Sequence, residues 1–281
     1  METKRFVLIG HPLAQSISPQ IHSRLTEIAG RQDTYTLREI APEELGTAVD
    51  GLRELDGFNI TIPYKVRILP FLDRVDPAAQ RYGAVNTVRV ENSRLIGYNT
   101  DAVGFRRALD AAGIPLTGRV LLCGTGGTAR MMGCEAAKEG CRLTVAGTTV
   151  GKAKRFAEML EADFPGFSAD YAALAYLSGS FDLILNATPC GMVPHTHSCA
   201  VPVPVAHSAA AVFDAVYNPA ETALMRLNRE AGGLAQGGLP MLVWQAAAAQ
   251  EIWTGTRFTL ADINALCGEM AAFIPAPRSG E

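Results

Sequence analysis

Glycine and threonine alternate in a short turn near the middle of the chain. The turn, GTGGT at residues 124–128, follows the apolar run at residues 119–123 and precedes a segment of helical composition that ends near Lys138. Glycines allow close approach of the backbone, and the free N–H groups at a helix N-terminus attract phosphate. The order of strand, turn and helix therefore predicts a site for the pyrophosphate of a dinucleotide. An ordinary strand-to-helix connection would use the same residue types and stays open as the alternative.

A second apolar run at residues 142–146 completes a βαβ unit after this turn. An NAD site usually presents a carboxylate to the ribose 2′-hydroxyl at the end of the second strand. This chain has Thr148 and Thr149 there, followed by the cations Lys152, Lys154 and Arg155, and no acidic residue. Hydroxyl groups and cations suit a 2′-phosphate, so the sequence favours NADP. The alternative is that the cations of residues 152–155 only form a solvated helix face.

Polar residues gather at the ends of predicted elements in the first hundred or so residues. They are Ser16, Ser18, Asn59, Thr61, Lys65, Asn86, Asn99, Thr100 and Asp101. Because loops at the carboxyl ends of parallel strands form ligand crevices, these side chains could converge on one small polar molecule. Each also has an ordinary alternative: Ser18 and Asp101 are good helix caps, and Lys65 could be a solvated surface cation.

The pattern of elements predicts an α/β fold with two three-layer αβα domains. Predicted strands near residues 119, 142, 181 and 212 alternate with helices, as in a doubly wound parallel sheet of the Rossmann type. We therefore expect a first domain at residues 1–101 and a dinucleotide-binding domain at residues 102–238. Two helical segments near the C-terminus have no sheet of their own to cover, so residues 239–281 are expected to complete the first domain.

Composition excludes several classes of function. The 281 residues are 48% hydrophobic and carry a net charge of -3, which supports two packed cores and gives no basic field for nucleic acid or anionic membranes. No apolar run has membrane-spanning length, and we expect a cytoplasmic protein. The six cysteines form no Cys-x-x-Cys pair, and His195, His197 and Cys199 fit no familiar zinc spacing, so no metal site is expected.

Ordered motifs over nearly the whole chain resemble those of the shikimate dehydrogenase family. The segment GHPLAQSISPQIH at residues 10–22 is similar to the family's serine motif, and NITIPYK at residues 59–65 is similar to its catalytic-lysine motif. The remaining similar segments lie at residues 83–87, 97–104, 186–192, 214–219 and 241–245. The resemblance implies an N-terminal substrate domain and a Rossmann-type NADP-binding domain.

The resemblance also implies an activity, the reversible NADPH-dependent reduction of 3-dehydroshikimate to shikimate in chorismate and aromatic amino acid biosynthesis. Lys65 and Asp101 would act at the reacting oxygen, because hydride arrival leaves a negative charge that an ammonium stabilises and then protonates. The implied substrate-binding residues are Ser16, Ser18, Asn59, Thr61, Lys65, Asn86, Asp101, Tyr217 and Gln245. The implied cofactor-binding residues are Gly124, Gly126, Gly127, Thr128, Thr148, Thr149, Lys152, Thr188, Ala215 and Gly238.

One departure from the family pattern concerns the cofactor. Many members have Asn-Arg-Thr where this chain has Gly-Thr-Thr at residues 147–149, so an arginine is missing from the expected 2′-phosphate site. NADP stays the expected cofactor and NAD the alternative. Two further alternatives are a quinate-oxidising paralogue that uses NAD and a non-catalytic sensor of the same fold. The only partner expected is a small-molecule substrate, and family members occur as monomers and homodimers.

Overall fold

The computed structural model describes residues 2–13 and 16–274. The chain forms two compact units, and each contains a six-stranded sheet. The first unit comprises Met1–Gly104 and Val243–Met270, and the second comprises Phe105–Leu242 and Ala271–Glu281. The last seven residues of the expected C-terminal segment, 275–281, lie outside the described residues.

The first unit contains a mixed sheet. Its strands are β1 (Arg5–Gly10), β2 (Thr34–Glu39), β3 (Gly57–Ile60), β4 (Arg74–Val75), β5 (Thr87–Glu91) and β6 (Arg94–Tyr98). Its N-terminal helices are α1 (Ser18–Ile28), α2 (Leu45–Leu52), α3 (Tyr64–Arg67) and α4 (Pro77–Tyr82), and α5 (Asp101–Ala111) begins in this unit. The strand order is β2-β1-β3-β5-β6-β4, with β1, β2 and β3 parallel and β5 antiparallel to β3 and β6.

Helix α3 is shorter than its apolar spacing suggests. The pattern of residues 64–72 predicts a helix, but α3 ends at Arg67 and a separate 3-10 turn covers Leu69–Phe71. Pro70 has no N–H to continue the α-helical ladder, and its ring disfavours the helical conformation of the preceding residue. Lys65 is still held on this short helix, as its second residue, a few residues after the end of β3.

The second unit contains a parallel sheet. Its strands are β7 (Arg119–Cys123), β8 (Arg142–Gly147), β9 (Ala169–Ala173), β10 (Leu183–Asn186), β11 (Ala211–Asp214) and β12 (Leu234–Gln236). Its helices are α6 (Gly127–Lys138), α7 (Val150–Asp163), α8 (Val203–Ser208) and α9 (Ala223–Glu230). The order β12-β11-β10-β7-β8-β9 reverses direction between β10 and β7, which confirms the predicted doubly wound Rossmann-type sheet.

Two helices near the C-terminus follow β12, namely α10 (Leu239–Thr254) and α11 (Leu260–Ala271). Residues Val243–Met270 belong to the first unit, where the Trp253 ring stacks on Phe6 at a centroid distance of 4.3 Å. The Trp253 indole N–H also donates to the Val88 carbonyl at 2.9 Å. Gly57 of β3 permits this contact, because a Cβ there would overlap the indole nitrogen. These contacts hold α10 against the first sheet.

Each unit buries its own apolar core. Val7, Ile9, Phe58 and Ile60 lie in the first core, and the second is built on the central strands of the parallel sheet. Burial of apolar surface supplies the main driving force for both units. None of the described helices combines the length and apolar composition needed to cross a membrane.

Candidate active site

Lys65 and Asp101 form an ion pair in the first unit. The Lys65 Nζ donates to Asp101 Oδ2 at 2.7 Å, and the two side chains are 32% and 20% exposed. Lys65 follows β3 on α3, while Asp101 is the first residue of α5, directly after β6 and its loop. An ammonium carries three N–H donors, so Lys65 can hold the aspartate and still donate to a ligand.

Asp101 does not act as the helix cap that its position would allow. The N-terminus of α5 is instead capped by Asn99, whose Oδ1 accepts from the Ala102 N–H at 3.3 Å. This arrangement leaves the Asp101 carboxylate directed at Lys65 and at Asn86, whose Nδ2 donates to Asp101 Oδ1 at 2.9 Å. Both carboxylate oxygens are therefore held by donors from other elements.

Only one orientation of the Asn86 side-chain amide satisfies the hydrogen-bond donors and acceptors around it. The backbone N–H of Thr100, which can only donate, points at Asn86 Oδ1 at 2.7 Å. The Asn86 Nδ2 must therefore face the other way, toward the acceptors Asp101 Oδ1 and Gln245 Oε1, the latter at 3.4 Å. Asn86 is only 2% exposed, so an inverted amide would place like groups against each other in a buried site.

Asn59, on the neighbouring strand β3, holds the backbone of Asn86. Its buried Nδ2 donates to the Asn86 carbonyl at 3.1 Å and to Thr87 Oγ1 at 2.9 Å, while its Oδ1 accepts from the Tyr35 hydroxyl at 2.9 Å. Both ends of the Asn59 amide are thus committed to protein partners. The resemblance implied substrate contact for Asn59, whereas these bonds are those of a residue that positions its neighbours.

Gln245 reaches the same cluster from a distant part of the sequence. It lies on α10, and its Oε1 is within 3.4 Å of Asn86 Nδ2 and 3.5 Å of Thr100 Oγ1. The structure therefore brings Lys65, Asn86, Asp101 and Gln245 together within the first unit, four residues that the resemblance implied for the substrate site.

The serine motif lies beside the loop that follows β3. The His11 N–H donates to the Ile62 carbonyl at 3.0 Å, and a Cβ on Gly10 would lie 2.5 Å from Thr61 Cγ2. Ser16 Oγ accepts from the Ser18 N–H at 3.3 Å and donates to Ser18 Oγ at 3.1 Å. The close packing at Gly10 thus joins the segment that carries the serines to the segment that carries Thr61.

The predicted cofactor residues lie in the second unit, and the glycine turn there is open. Gly124 has a φ of 113°, and a Cβ on it would lie 3.0 Å from the Ala187 carbonyl oxygen. Gly126 is the N-cap of α6 with no side-chain cap, and neither Gly126 nor Gly127 has a described atom within 4 Å of an added Cβ. Together with exposed Thr128, the uncovered N-terminus of α6 fits a pyrophosphate.

The end of β8 also fits a phosphorylated ribose. Thr148 and Lys152 are exposed, and residues 147–152 contain no carboxylate. Thr149 is the N-cap of α7, and its Oγ1 accepts from the Lys152 N–H at 3.3 Å. The Thr149 hydroxyl can still donate its own proton, so capping the helix does not remove it from a phosphate site.

Loops after β10 and β11 are tied together by a buried polar pair. Asn186 Nδ2 donates to Asp214 Oδ1 at 2.9 Å, and Asn186 Oδ1 accepts from the Thr188 hydroxyl at 2.6 Å. The Thr222 hydroxyl donates to Asp214 Oδ2 at 2.7 Å. Burial raises the pKa of the Asp214 carboxyl to about 6 despite these donors. Thr188 therefore uses its side chain to hold its own loop.

Three other predicted residues, Ala215, Tyr217 and Gly238, lie just after the carboxyl ends of strands β11 and β12. Gly238 donates its N–H to the Val216 carbonyl at 2.9 Å, and a Cβ there would overlap the Ala215 carbonyl oxygen. Only glycine fits this close approach between Ala215 and Gly238. Tyr217 follows in the same loop, half-buried, and burial raises the pKa of its hydroxyl above the usual range.

Several residues of the site network lie outside the predicted set. Thr87 accepts a hydrogen bond from Asn59 and contacts Thr100, the member of the predicted polar cluster that bonds Asn86 and Gln245, and Tyr35 stacks on buried His22 at 3.8 Å. Burial lowers the pKa of His22 to about 3, so it is neutral. The sequence signal for these supporting residues was a polar residue on a strand predicted to be buried. Their hydrogen-bond partners depend on which strands pair, which that signal does not give. Among the described residues, no three His, Cys, Asp or Glu side chains form a group that could hold a metal ion.

A doubly wound parallel sheet with an open glycine turn, together with a lysine–aspartate pair held by buried amides, defines a dinucleotide-dependent dehydrogenase built from two α/β units. The comparisons with known proteins agree. A family model described as "Shikimate dehydrogenase substrate binding domain" matches residues 8–88, and one described as "Shikimate 5'-dehydrogenase C-terminal domain" matches residues 238–258.

Shikimate dehydrogenase (NADP(+)) of Methanococcus maripaludis strain C6 is 39% identical over 261 residues, which cover 91% of this chain and 93% of that relative. A solved shikimate dehydrogenase in complex with NADP+ matches with a TM-score of 0.88 and 33% identity over 98% of this chain and 96% of that one. A Thermus thermophilus shikimate 5-dehydrogenase in complex with NADP(H) and shikimate matches with a TM-score of 0.84 and 34% identity, covering 95% and 99% of the two chains. The chain belongs to the shikimate dehydrogenase family, which confirms the resemblance.

Replacing Asn86 tests the buried amide network. We expect Asn86→Ala to lower the free energy of unfolding by about 1–3 kcal/mol, because the Thr100 N–H loses its acceptor in a buried site. The exposed helical residue Asn264 provides a control, and Asn264→Ala should stay within about 0.5 kcal/mol of the wild type. Urea unfolding measures both. An Asn86→Ala protein as stable as the control would contradict the network.

Asp214 predicts a pH-dependent stability. Its pKa is raised in the folded state from 3.8 to about 6, so the folded state holds the proton more tightly than the unfolded state. The resulting stabilisation is complete below about pH 4 and is lost as the pH rises through about 6, an effect of about 1–3 kcal/mol. Asp214→Asn should abolish this loss, so its stability relative to wild type should increase between pH 4 and 7. Parallel profiles for the two proteins would contradict the assignment.

Proposed function

We propose that this chain catalyses the reversible NADP-dependent interconversion of shikimate and 3-dehydroshikimate in aromatic amino acid biosynthesis. The observation that carries the proposal is the partly exposed Lys65 Nζ, held 2.7 Å from Asp101 Oδ2 in a member of the shikimate dehydrogenase family. A ketone that accepts a hydride requires a proton donor at its oxygen, and a lysine held by an aspartate with N–H donors left over supports that role for Lys65.

Lys65 acts on the oxygen of the substrate in both directions. When bound, NADPH supplies the hydride for reduction and NADP+ accepts it for oxidation. During reduction the Lys65 ammonium stabilises the negative charge that develops on the carbonyl oxygen, then gives that oxygen a proton. During oxidation the neutral Lys65 amine removes the proton from the hydroxyl. Asp101 holds the ammonium in place and accepts from the neighbouring ring hydroxyl, while Asn86 holds Asp101.

The remaining groups of the first unit suit the rest of a hydroxylated ring acid. Because Ser16 Oγ donates to Ser18 Oγ, the Ser18 hydroxyl proton can point to a ligand carboxylate. Thr61, Asn86 and Gln245 offer groups that donate to and accept from ring hydroxyls. We assign Asn59 to support rather than contact, since both ends of its amide bond protein partners.

The second unit offers the groups that NADP requires. The open turn at Gly124, Gly126, Gly127 and Thr128 would hold the pyrophosphate, and Thr148, Thr149 and Lys152 would hold the 2′-phosphate. Thr188 follows β10, the strand at which the strand order reverses, Ala215 follows the adjacent β11, and the backbone at Gly238 after β12 folds back to the Ala215 loop. Dinucleotides bind at such a switch point in doubly wound sheets, so we place the nicotinamide half there.

This assignment gives each part of the chain a separate binding role. Residues 1–101, completed by residues 239–281, would bind substrate, and residues 102–238 would bind NADP. Tyr217 keeps its expected role as a substrate contact. We also propose cytoplasmic action as a monomer or homodimer, in keeping with a net charge of -3 that favours neither nucleic acid nor anionic membranes. The quinate and sensor alternatives are not favoured, since the relatives are named as NADP-dependent shikimate dehydrogenases and Lys65 and Asp101 are both present.

Initial rates of NADPH or NADH formation test the proposed function, with shikimate and quinate each offered with NADP and NAD. Turnover should be fastest with shikimate and NADP. A preference for quinate and NAD would support the paralogue instead, and no turnover with any pair would support the sensor.

Lys65→Ala tests the proposed proton donor. We expect kcat to fall by about 100- to 10,000-fold while KM for shikimate changes far less, because the ammonium acts mainly on charge that develops in the transition state. Lys154→Ala is the matched control, since Lys154 is an exposed lysine of the second unit paired with Glu158 at 3.7 Å. Steady-state kinetics with shikimate and NADP measure both variants. A Lys65→Ala enzyme with normal kcat and raised KM would remove Lys65 from the chemistry.

A further inference from the structure

We propose that Arg155 supplies the arginine contact to the 2′-phosphate of NADP that residue 148 lacks in this chain. The proposal rests on the proposed function and assigns a specificity role to one of the cations after β8 that the implied cofactor-binding residues do not include. It starts from the position of Arg155 on α7, the helix that begins at the end of β8.

Arg155 and Lys152 lie on the same flank of α7. The helix buries Ala153, Phe156, Ala157 and Leu160 against the second unit, and its exposed face carries the charged residues. Residues three apart on a helix are neighbours on its surface, so Lys152 and Arg155 present their charges side by side. Lys154 points to the opposite flank, where it pairs with Glu158 at 3.7 Å.

The Arg155 side chain extends back toward the beginning of the helix. Its Nη1 lies 3.7 Å from the position that a Cβ on Gly151 would occupy. Long side chains on a helix point toward its N-terminus, and the absence of a side chain at Gly151 leaves room for the guanidinium over the first turn. The guanidinium therefore lies over the first turn of α7, the turn that follows Thr148 and Thr149, and the ribose of a dinucleotide is expected at this end of the strand.

The charge of Arg155 is available for an anion. No described carboxylate lies within 4 Å of the charged groups of Arg155 or Lys152, whereas Arg130 on α6 pairs with Asp163 at 3.2 Å. Residues 147–152 add no negative charge of their own. Two available cations beside hydroxyl groups and a helix N-terminus match the phosphate dianion that NADP carries on its ribose. NAD has a neutral 2′-hydroxyl at that position and offers no such charge.

The chemistry of arginine gives the pair its selectivity. A guanidinium can donate two parallel N–H bonds to phosphate oxygens, while a lysine ammonium acts as a point charge. In this arrangement Lys152 adds charge and Arg155 adds directed bonds from one turn further along the helix. An arginine on α7 can thus take the place of the arginine that other members of the family carry in the β8–α7 turn.

Direct binding measurements test the proposal without relying on turnover. Dissociation constants for NADP and NAD, which differ only in the 2′-phosphate, are measured by titration calorimetry for wild type, Arg155→Ala, Arg155→Lys and Lys154→Ala. We expect Arg155→Ala to weaken NADP by about 10-fold or more and to change NAD less than about twofold. Arg155→Lys should recover part of the loss, and Lys154→Ala should bind both cofactors as wild type does. Thermal unfolding of each variant checks that the fold is intact.

Two results would overturn the role of Arg155 while leaving the proposed function intact. One is NADP affinity in Arg155→Ala within about twofold of wild type, and the other is an equal loss for NADP and NAD. Equal wild-type affinity for the two cofactors would also overturn it, since no contact to the 2′-phosphate would then contribute. A folded wild-type protein that binds neither cofactor would instead contradict the proposed function itself.

Discussion

The backbone N–H of Thr100 imposes the constraint on which the first unit's site depends. Because that group can only donate, it fixes Asn86 Oδ1 toward itself at 2.7 Å and Asn86 Nδ2 toward Asp101. Asp101 in turn holds Lys65. The direction of each hydrogen bond follows from the one before it, so a backbone donor in the β6–α5 loop determines where an ammonium lies on α3. Buried networks of this kind specify one arrangement because every alternative leaves an unpaired group.

The candidate cofactor site of the second unit depends on backbone rather than on a side-chain network. One stretch of backbone is left uncovered, and two others approach each other closely. Gly126 leaves the N-terminus of α6 without a side-chain cap, and Gly238 allows the backbone near Ala215 to approach. The Asn186–Asp214 pair then fixes the loops after two adjacent strands. Uncovered N–H donors at a helix N-terminus can attract phosphate without a particular side chain.

Much of this could be predicted from sequence, for identifiable reasons. The β7–α6–β8 unit follows from apolar runs and glycines that act locally, and the motifs around Lys65 and Asp101 are recognisable by their resemblance to those of the shikimate dehydrogenase family. Strands β9 and β12 were not predicted, because edge strands such as ADYAA at Ala169–Ala173 are half-exposed and carry no apolar run. The supporting roles of Tyr35, Thr87 and Thr100 depend on strand order, and the direction of the Arg155 side chain depends on Gly151. Neither can be read from spacing alone.

The central claim is that Lys65, held by Asp101, is the group that exchanges a proton with the reacting oxygen. A crystal structure of the protein with bound shikimate tests this most directly through one distance, from Lys65 Nζ to the oxygen of the hydroxyl that is oxidised. We predict a hydrogen bond of about 2.7–3.2 Å, with Asn86 Nδ2 still donating to Asp101. An oxygen beyond hydrogen-bond distance of both Lys65 and Asp101 would contradict the account.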